Sequence, residues 1–172
     1  MQAIQPLPPL PQSGLGRPCT VRTALSLIII EQRGTLRPLD LMGRIFLAVA
    51  RLKVDVLLIS QSSCDGNFCF VIPQEKTQSV LSALNDELQL ELARHARVRL
   101  CVVDDVILLT ATNHVRSPLT HAATICGTLA EHAVNILAVT QGAASISLVI
   151  EAANAVKAID AIKRLDQHIV GN

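Results

Sequence analysis

Val54-Asp55-Val56-Leu57-Leu58-Ile59-Ser60-Gln61 is answered position by position by Val134-Asn135-Ile136-Leu137-Ala138-Val139-Thr140-Gln141, about eighty residues later. Both stretches are aliphatic, rich in β-branched residues and closed by Gln, which suits a buried strand with a polar end. Upstream of the first copy, Leu27-Ile28-Ile29-Ile30 reads as another strand. Gly34 and Pro38 punctuate the turn after it, and Asp40 can cap a helix. Met42, Ile45, Phe46, Val49 and Leu52 give that helix one apolar stripe. Downstream, Asp65-Gly66 signals a hairpin, residues 68–72 form a third strand stopped by Pro73, and Val80, Leu81, Leu84 and Leu88 line a second helix.

The same series returns in the second half. Ile107-Leu108-Leu109 answers the first strand, a helix spans residues 120–133, and residues 145–150 match the third strand. Val156, Ile159, Ile162 and Leu165 are the expected inner face of the last helix. Between the copies, residues 98–103 read as an extra strand that turns at Asp104-Asp105. A β-α-β-β-α unit with one added strand makes a four-stranded antiparallel sheet with helices on one face. The expected fold class is therefore α+β, two ferredoxin-like units in tandem. The uncovered sheet faces and edges need partners, so the copies are expected to pair side by side and whole chains to pair as a homodimer. The expected boundaries are a proline-rich, disordered leader over residues 1–23, a first domain over 24–97 and a second over 98–172.

Composition narrows the function classes. Half of the 172 residues are apolar and only 2% aromatic, with no Trp or Tyr, so the core must be aliphatic. A net charge of +1 argues against nucleic acid, whose backbone needs a clustered basic face. No apolar run has the length of a membrane span, and the N-terminus lacks the order of a signal peptide. The five cysteines contain no C-x-x-C pair, which predicts free thiols in a reducing cytoplasm and no metal site. None of the five histidines forms a motif with a Cys, and no glycine-rich phosphate cradle is present, so no catalytic residues and no cofactor are expected. Phe68 and Phe70 stand where RNA-binding sheets carry stacking aromatics. The second copy has Ile146 and Leu148 there, which points to packing instead. Both copies retain the strand-end Gln, whose primary amide can donate to a carboxylate and accept from an ammonium.

The run from Val56 through Ser63, with Phe68-Cys69-Phe70-Val71-Ile72-Pro73-Gln74, closely resembles the first ACT domain of aspartokinases, best the kind fused to homoserine dehydrogenase. Asn135 through Gly142 resembles the second ACT domain of that region, and the resemblance spans residues 24–169. It implies an allosteric, amino-acid-binding regulatory region of aspartate-family amino-acid biosynthesis. The ligand would be held by Leu39, Asp40, Leu41 and Met42 at the loop–helix junction and by Ile59, Ser60, Gln61 and Ser62 on the second strand, with Asn135 and Gln141 in the second copy. Lysine-sensing relatives carry an aspartate at the position of Leu57. The neutral side chain here implies a threonine-like ligand, because a lysine ammonium would be left unpaired. No aspartokinase catalytic domain is matched, so the expectation is a non-catalytic regulatory chain that works with an aspartokinase catalytic chain. The alternative is a structural module, or a drifted paralogue, that assembles with an aspartokinase without ligand. The second copy departs further from the pattern, with Ala143-Ala144 in place of a serine pair.

Overall fold

The computed structural model describes residues 19–32, 38–62, 66–89, 92, 98–112, 118–142 and 145–169. The first unit comprises β1 (Cys19–Gln32), α1 (Pro38–Arg51), β2 (Leu58–Gln61), β3 (Phe68–Pro73) and α2 (Thr77–Glu87). The second comprises β4 (Val98–Thr112), α3 (Pro118–Glu131), β5 (Ala138–Gln141), β6 (Ser145–Glu151) and α4 (Ala155–Ile169). Single 3-10 turns, Gln74–Lys76 and Ala152–Asn154, precede α2 and α4. The α+β class and the repeated plan are as the sequence indicates.

The strands form one antiparallel sheet in the order β2-β3-β1-β4-β6-β5, which reads the same from either end once the copies are exchanged. Its spine is the pairing of β1 with β4. Leu27 through Gln32 pair with Val103 through Val98, so the first half of β4 is the fourth strand of the first unit. Cys19 through Arg22 pair with Ala111 through Leu108, so the start of β1 is the fourth strand of the second unit. Each unit lends the other a strand. This moves two expected boundaries. Residues 19–23 belong to β1 and not to a leader, because the prolines end at Pro18 and Cys19-Thr20-Val21 can pair. Residues 1–18 lie outside the described residues. The division at residue 98 also cuts through shared pairing, since β4 serves both units.

Asp104-Asp105 is not a turn between two strands. β4 runs through it, and the register slips where β1 passes Arg22, Leu25 and Leu27. Asp105 has φ 52° and Ala24, on the facing strand, φ 56°. Two bulges therefore offset each other, one on each strand, and re-aim both strands from one helix layer to the other. Local turn chemistry gives way to a template strand running along the whole length. Matched left-handed residues recur at the helix ends, Lys53 after α1 and Ala133 after α3, where each amide closes the last turn.

One sheet face carries the helices. Ile28, Ile30, Phe68, Phe70 and Ile72 meet Leu41, Ile45 and Val49 of α1 and Val80 and Leu84 of α2. The rings of Phe68 and Phe70 lie 5.9 and 5.5 Å from that of Phe46, and both are buried, which bears out packing over base stacking. Ile146 and Leu148 occupy the same layer in the second unit. The inner face of α4 is Ala158, Ala161 and Ile162, whereas Val156 is 73% exposed. Val156, Ile159 and Ile162 are three residues apart, a spacing that drifts about 60° per step round the helix, so the expected stripe leaves the buried face at its first member.

The other sheet face is also buried. Leu25, Leu27, Leu58 and Val71 pack against Val106, Leu108, Ala138 and Val149, four residues from each unit. The side-by-side pairing expected of the copies thus occurs within the chain. The sheet curls until its edge strands meet, where Ser60 Oγ donates to the Val139 carbonyl at 3.1 Å. β2 is shorter than expected: regular pairing starts at Leu58, with the Leu57 amide already bonded to the Val71 carbonyl at 2.9 Å. One buried polar relay joins three elements. Thr77 Oγ1 donates to Ser26 Oγ at 2.8 Å, and Ser26 Oγ donates to Asp104 Oδ1 at 2.6 Å. It ties the start of α2 to both bulged strands.

Candidate ligand-binding site

β1 ends at Gln32 and α1 begins at Pro38, so the start of α1 stands at the end of the sheet where β2 finishes. The pairings Gln61↔Phe68 and Ile30↔Phe68 set Gln61 in one row with the last turn of β1. Two predicted segments, residues 39–42 and 59–62, therefore share one end of the first unit. The connecting residues 33–37 lie outside the described residues.

Within those segments the side chains divide. Leu39 and Asp40 are exposed on the first turn of α1, Leu41 is buried in the core, and Met42 is half-buried against it. Ile59 and Gln61 are exposed on β2, and Ser60 is half-buried with its hydroxyl on Val139. Ser62 is exposed, and its amide donates to the Asn67 carbonyl at 2.8 Å, closing the hairpin. Leu41 thus anchors the helix start and cannot reach a ligand without unpacking. Leu39, Asp40, Ile59, Gln61 and Ser62 are accessible. First-turn amides of α1 have no partner within the helix and point toward this end, which favours an anionic group.

The second unit repeats the arrangement in part. Gln141 is exposed at the end of β5, and the Gly142 amide donates to the Ser145 carbonyl at 2.8 Å, as Ser62 does to Asn67. Asn135 is exposed but precedes β5, six residues of chain from Gln141, a span of up to ~20 Å when extended. It belongs to the α3–β5 connection at the opposite end of the strand, so the structure does not bring these two residues together. In the place of Leu41 stands His121, 5% exposed. It is a helix-end histidine, as expected of the class, but a buried one.

Residues the sequence reading leaves aside also stand here. Gln32 is buried at the end of β1, and its backbone N–H donates to Asn67 Oδ1 at 2.7 Å, fixing the hairpin that follows Gln61. The eighty-residue offset flags this place, since Gln32 falls on Thr112 and Leu41 on His121. Cys69 pairs with Ser60 across β2 and β3. Burial pushes its thiol up, and a hydrogen bond from the Ser60 backbone pulls it partly back, so it stays a neutral thiol at neutral pH. Cys19, Cys69, Cys101 and Cys126 are in no disulfide and are half-buried. Among the described residues no cluster of His, Cys, Asp and Glu could hold a metal ion, and no helix is long and apolar enough to cross a membrane. An open groove between α1 and α2, lined by Ala48, Arg51, Leu52, Ala83, Asp86 and Glu87, lies at the far end of α1 from residues 39–42. The site offers amide donors, a carboxylate and apolar contact, a set suited to binding a small zwitterion.

The ACT-domain family model matches twice, over residues 37–88 and 113–165. The bifunctional aspartokinase/homoserine dehydrogenase 1 of Arabidopsis thaliana is 27% identical over 141 residues, covering 80% of this chain and 16% of that protein. The bifunctional aspartokinase/homoserine dehydrogenase of Haemophilus influenzae is 28% identical over 133 residues, covering 76% of this chain and 16% of its own length. The chain thus spans about a sixth of these relatives. The ligand-free regulatory subunit of aspartate kinase from Thermus thermophilus superposes with a TM-score of 0.71 at 17% identity, covering 86% of this chain and 96% of that one.

Proposed function

Because this chain belongs to the ACT-domain family, carries two copies and resembles the regulatory region of aspartokinases, we propose that it is a non-catalytic amino-acid sensor. It binds a threonine-like ligand in the first unit and acts as a homodimer on an aspartokinase catalytic chain. The observation that supports this is the shared end of α1 and β2, where Gln61 is exposed at the same end of the unit as the first turn of the helix. The ligand carboxylate meets the amides of that turn, and the Gln61 amide meets its hydroxyl or ammonium. Leu57 sits half-buried beside the apolar layer shared by the units and offers no counter-charge to a lysine side chain. Ligand at this end biases a two-state arrangement of the paired units by its differential affinity, which a catalytic partner reads as activity.

The test is Gln61→Ala. Threonine at a hundred times its dissociation constant is expected to stabilise the wild-type chain by about 2.7 kcal/mol. The variant is expected to lose that gain while keeping its unliganded melting temperature, since Gln61 is exposed. A second reading, an ACT module that assembles without ligand, draws on the Ser60 hydroxyl, already spent on Val139 at the seam between units. Under that reading Gln61→Ala changes nothing, and no amino acid moves the melting temperature.

A further inference from the structure

Leu41, Ile45, Ala48 and Val49 hold α1 down on the sheet. Apolar contacts of this kind are non-directional, so they resist lifting of the helix more than sliding along its axis. Arg44 adds a directional contact. It lies off the apolar stripe, one turn beyond Asp40, and reaches across to the end of α2. Its Nε donates to Glu87 Oε1 at 2.8 Å and its Nη2 to the Glu87 carbonyl at 2.5 Å. A planar guanidinium that grips one residue by both side chain and backbone fixes angle as well as distance.

α2 is itself a fixed reference. Val80 and Leu84 are buried in the core, and Thr77, its first residue, is bonded to Ser26 of β1. The clamp therefore registers the first half of α1, which carries residues 39–42, against the sheet by way of α2. The corresponding places in the second unit cannot build it. Thr124 and Leu165 stand where Arg44 and Glu87 do, counted from the starts of α3 and α4, and form no ion pair. Thr124 Oγ1 instead donates to the Thr120 carbonyl of its own helix at 2.8 Å.

We propose that Arg44 is a positioning residue for ligand binding in the first unit. It holds the first turn of α1 at the register in which that turn and Gln61 of β2 share one ligand. It acts through the helix, without touching the ligand, and the role rests on the binding reading proposed above. Both partners are partly exposed, 41% for the Arg44 side chain and 30% for that of Glu87, so the ion pair itself adds little to stability. Its effect is preorganisation. With the clamp cut, α1 is in register for only a fraction of the time, and affinity falls by that fraction.

Calorimetric titration of the full chain with threonine, beside thermal melts without ligand, tests it. Arg44→Met is expected to weaken threonine binding about ten-fold while the unliganded chain melts near the wild-type temperature. Arg44→Lys, which keeps the charge but not the fork, is expected to recover part of the affinity. Thr124→Met, at the matching place on α3, is expected to leave it unchanged. Wild-type affinity in Arg44→Met, or an equal loss in Thr124→Met, overturns the role of Arg44 and leaves the site standing. An Arg44→Met chain that melts far below the wild type makes the clamp a support of the fold and overturns the positioning role. A wild-type chain silent to threonine overturns site and clamp together.

Discussion

Replacing Leu27 with Ala is expected to lower stability by about 2–5 kcal/mol and to melt both units in a single transition. Leu27 is fully buried in β1, on the sheet face that the two units share. Its neighbours there include Leu58 and Val71 of the first unit and Val106, Leu108, Ala138 and Val149 of the second. Cutting it back leaves a cavity that neither unit can close alone, because β1 is held between β3 and β4. Two independent domains would instead lose stability in the first unit only, giving two separated transitions. Calorimetry of Leu27→Ala beside the wild type distinguishes the cases. A second transition left at the wild-type temperature contradicts the shared core.

Ser26→Ala carries the second largest expected effect, about 1–3 kcal/mol. Ser26 is completely buried and both accepts from Thr77 and donates to Asp104. Removing its hydroxyl strands the Thr77 hydroxyl, which is also buried, whereas the exposed Asp104 carboxylate can turn to water. The penalty is therefore that of one buried donor left unmet. Thr77→Val added to Ser26→Ala removes that donor, so the double variant is expected to cost less than the two single changes summed. Urea unfolding of the four chains measures the coupling. Strict additivity means that the relay does not act as a unit.

The repeat was legible because its signals are local. A strand closed by Gln and a helix stripe at 3.6-residue spacing each lie within a dozen residues, and matching copies reinforce one another. The exchange of strands between units was not legible in this way. Asp104-Asp105 has the local chemistry of a turn, and only the long-range partner β1 keeps the chain extended through it. The same holds for Cys19 through Arg22, which look like the tail of a proline-rich leader until β4 pairs with them. Val156 joins the expected α4 stripe at steps of three residues, which drift about 60° each round the helix, so it faces outward, away from the buried Ala158.

The sequence singled out two segments, residues 39–42 and 59–62, and the topology puts both at one end of the first unit. The sequence did not separate the exposed Leu39, Asp40 and Gln61 from the buried Leu41, because that division depends on the angle at which α1 meets the sheet. Nor did it find Asn67, whose side chain accepts from the Gln32 backbone N–H across a gap of thirty-five residues. Polar contacts at that separation leave no periodic trace.

The central claim is that the first unit recognises a small neutral amino acid. Titration calorimetry of the wild-type chain with threonine and with lysine tests it most directly. Saturable heat with threonine, absent in Gln61→Ala, and weaker or no binding of lysine are the predicted results. Lysine binding more tightly than threonine, or no heat from either, contradicts the account.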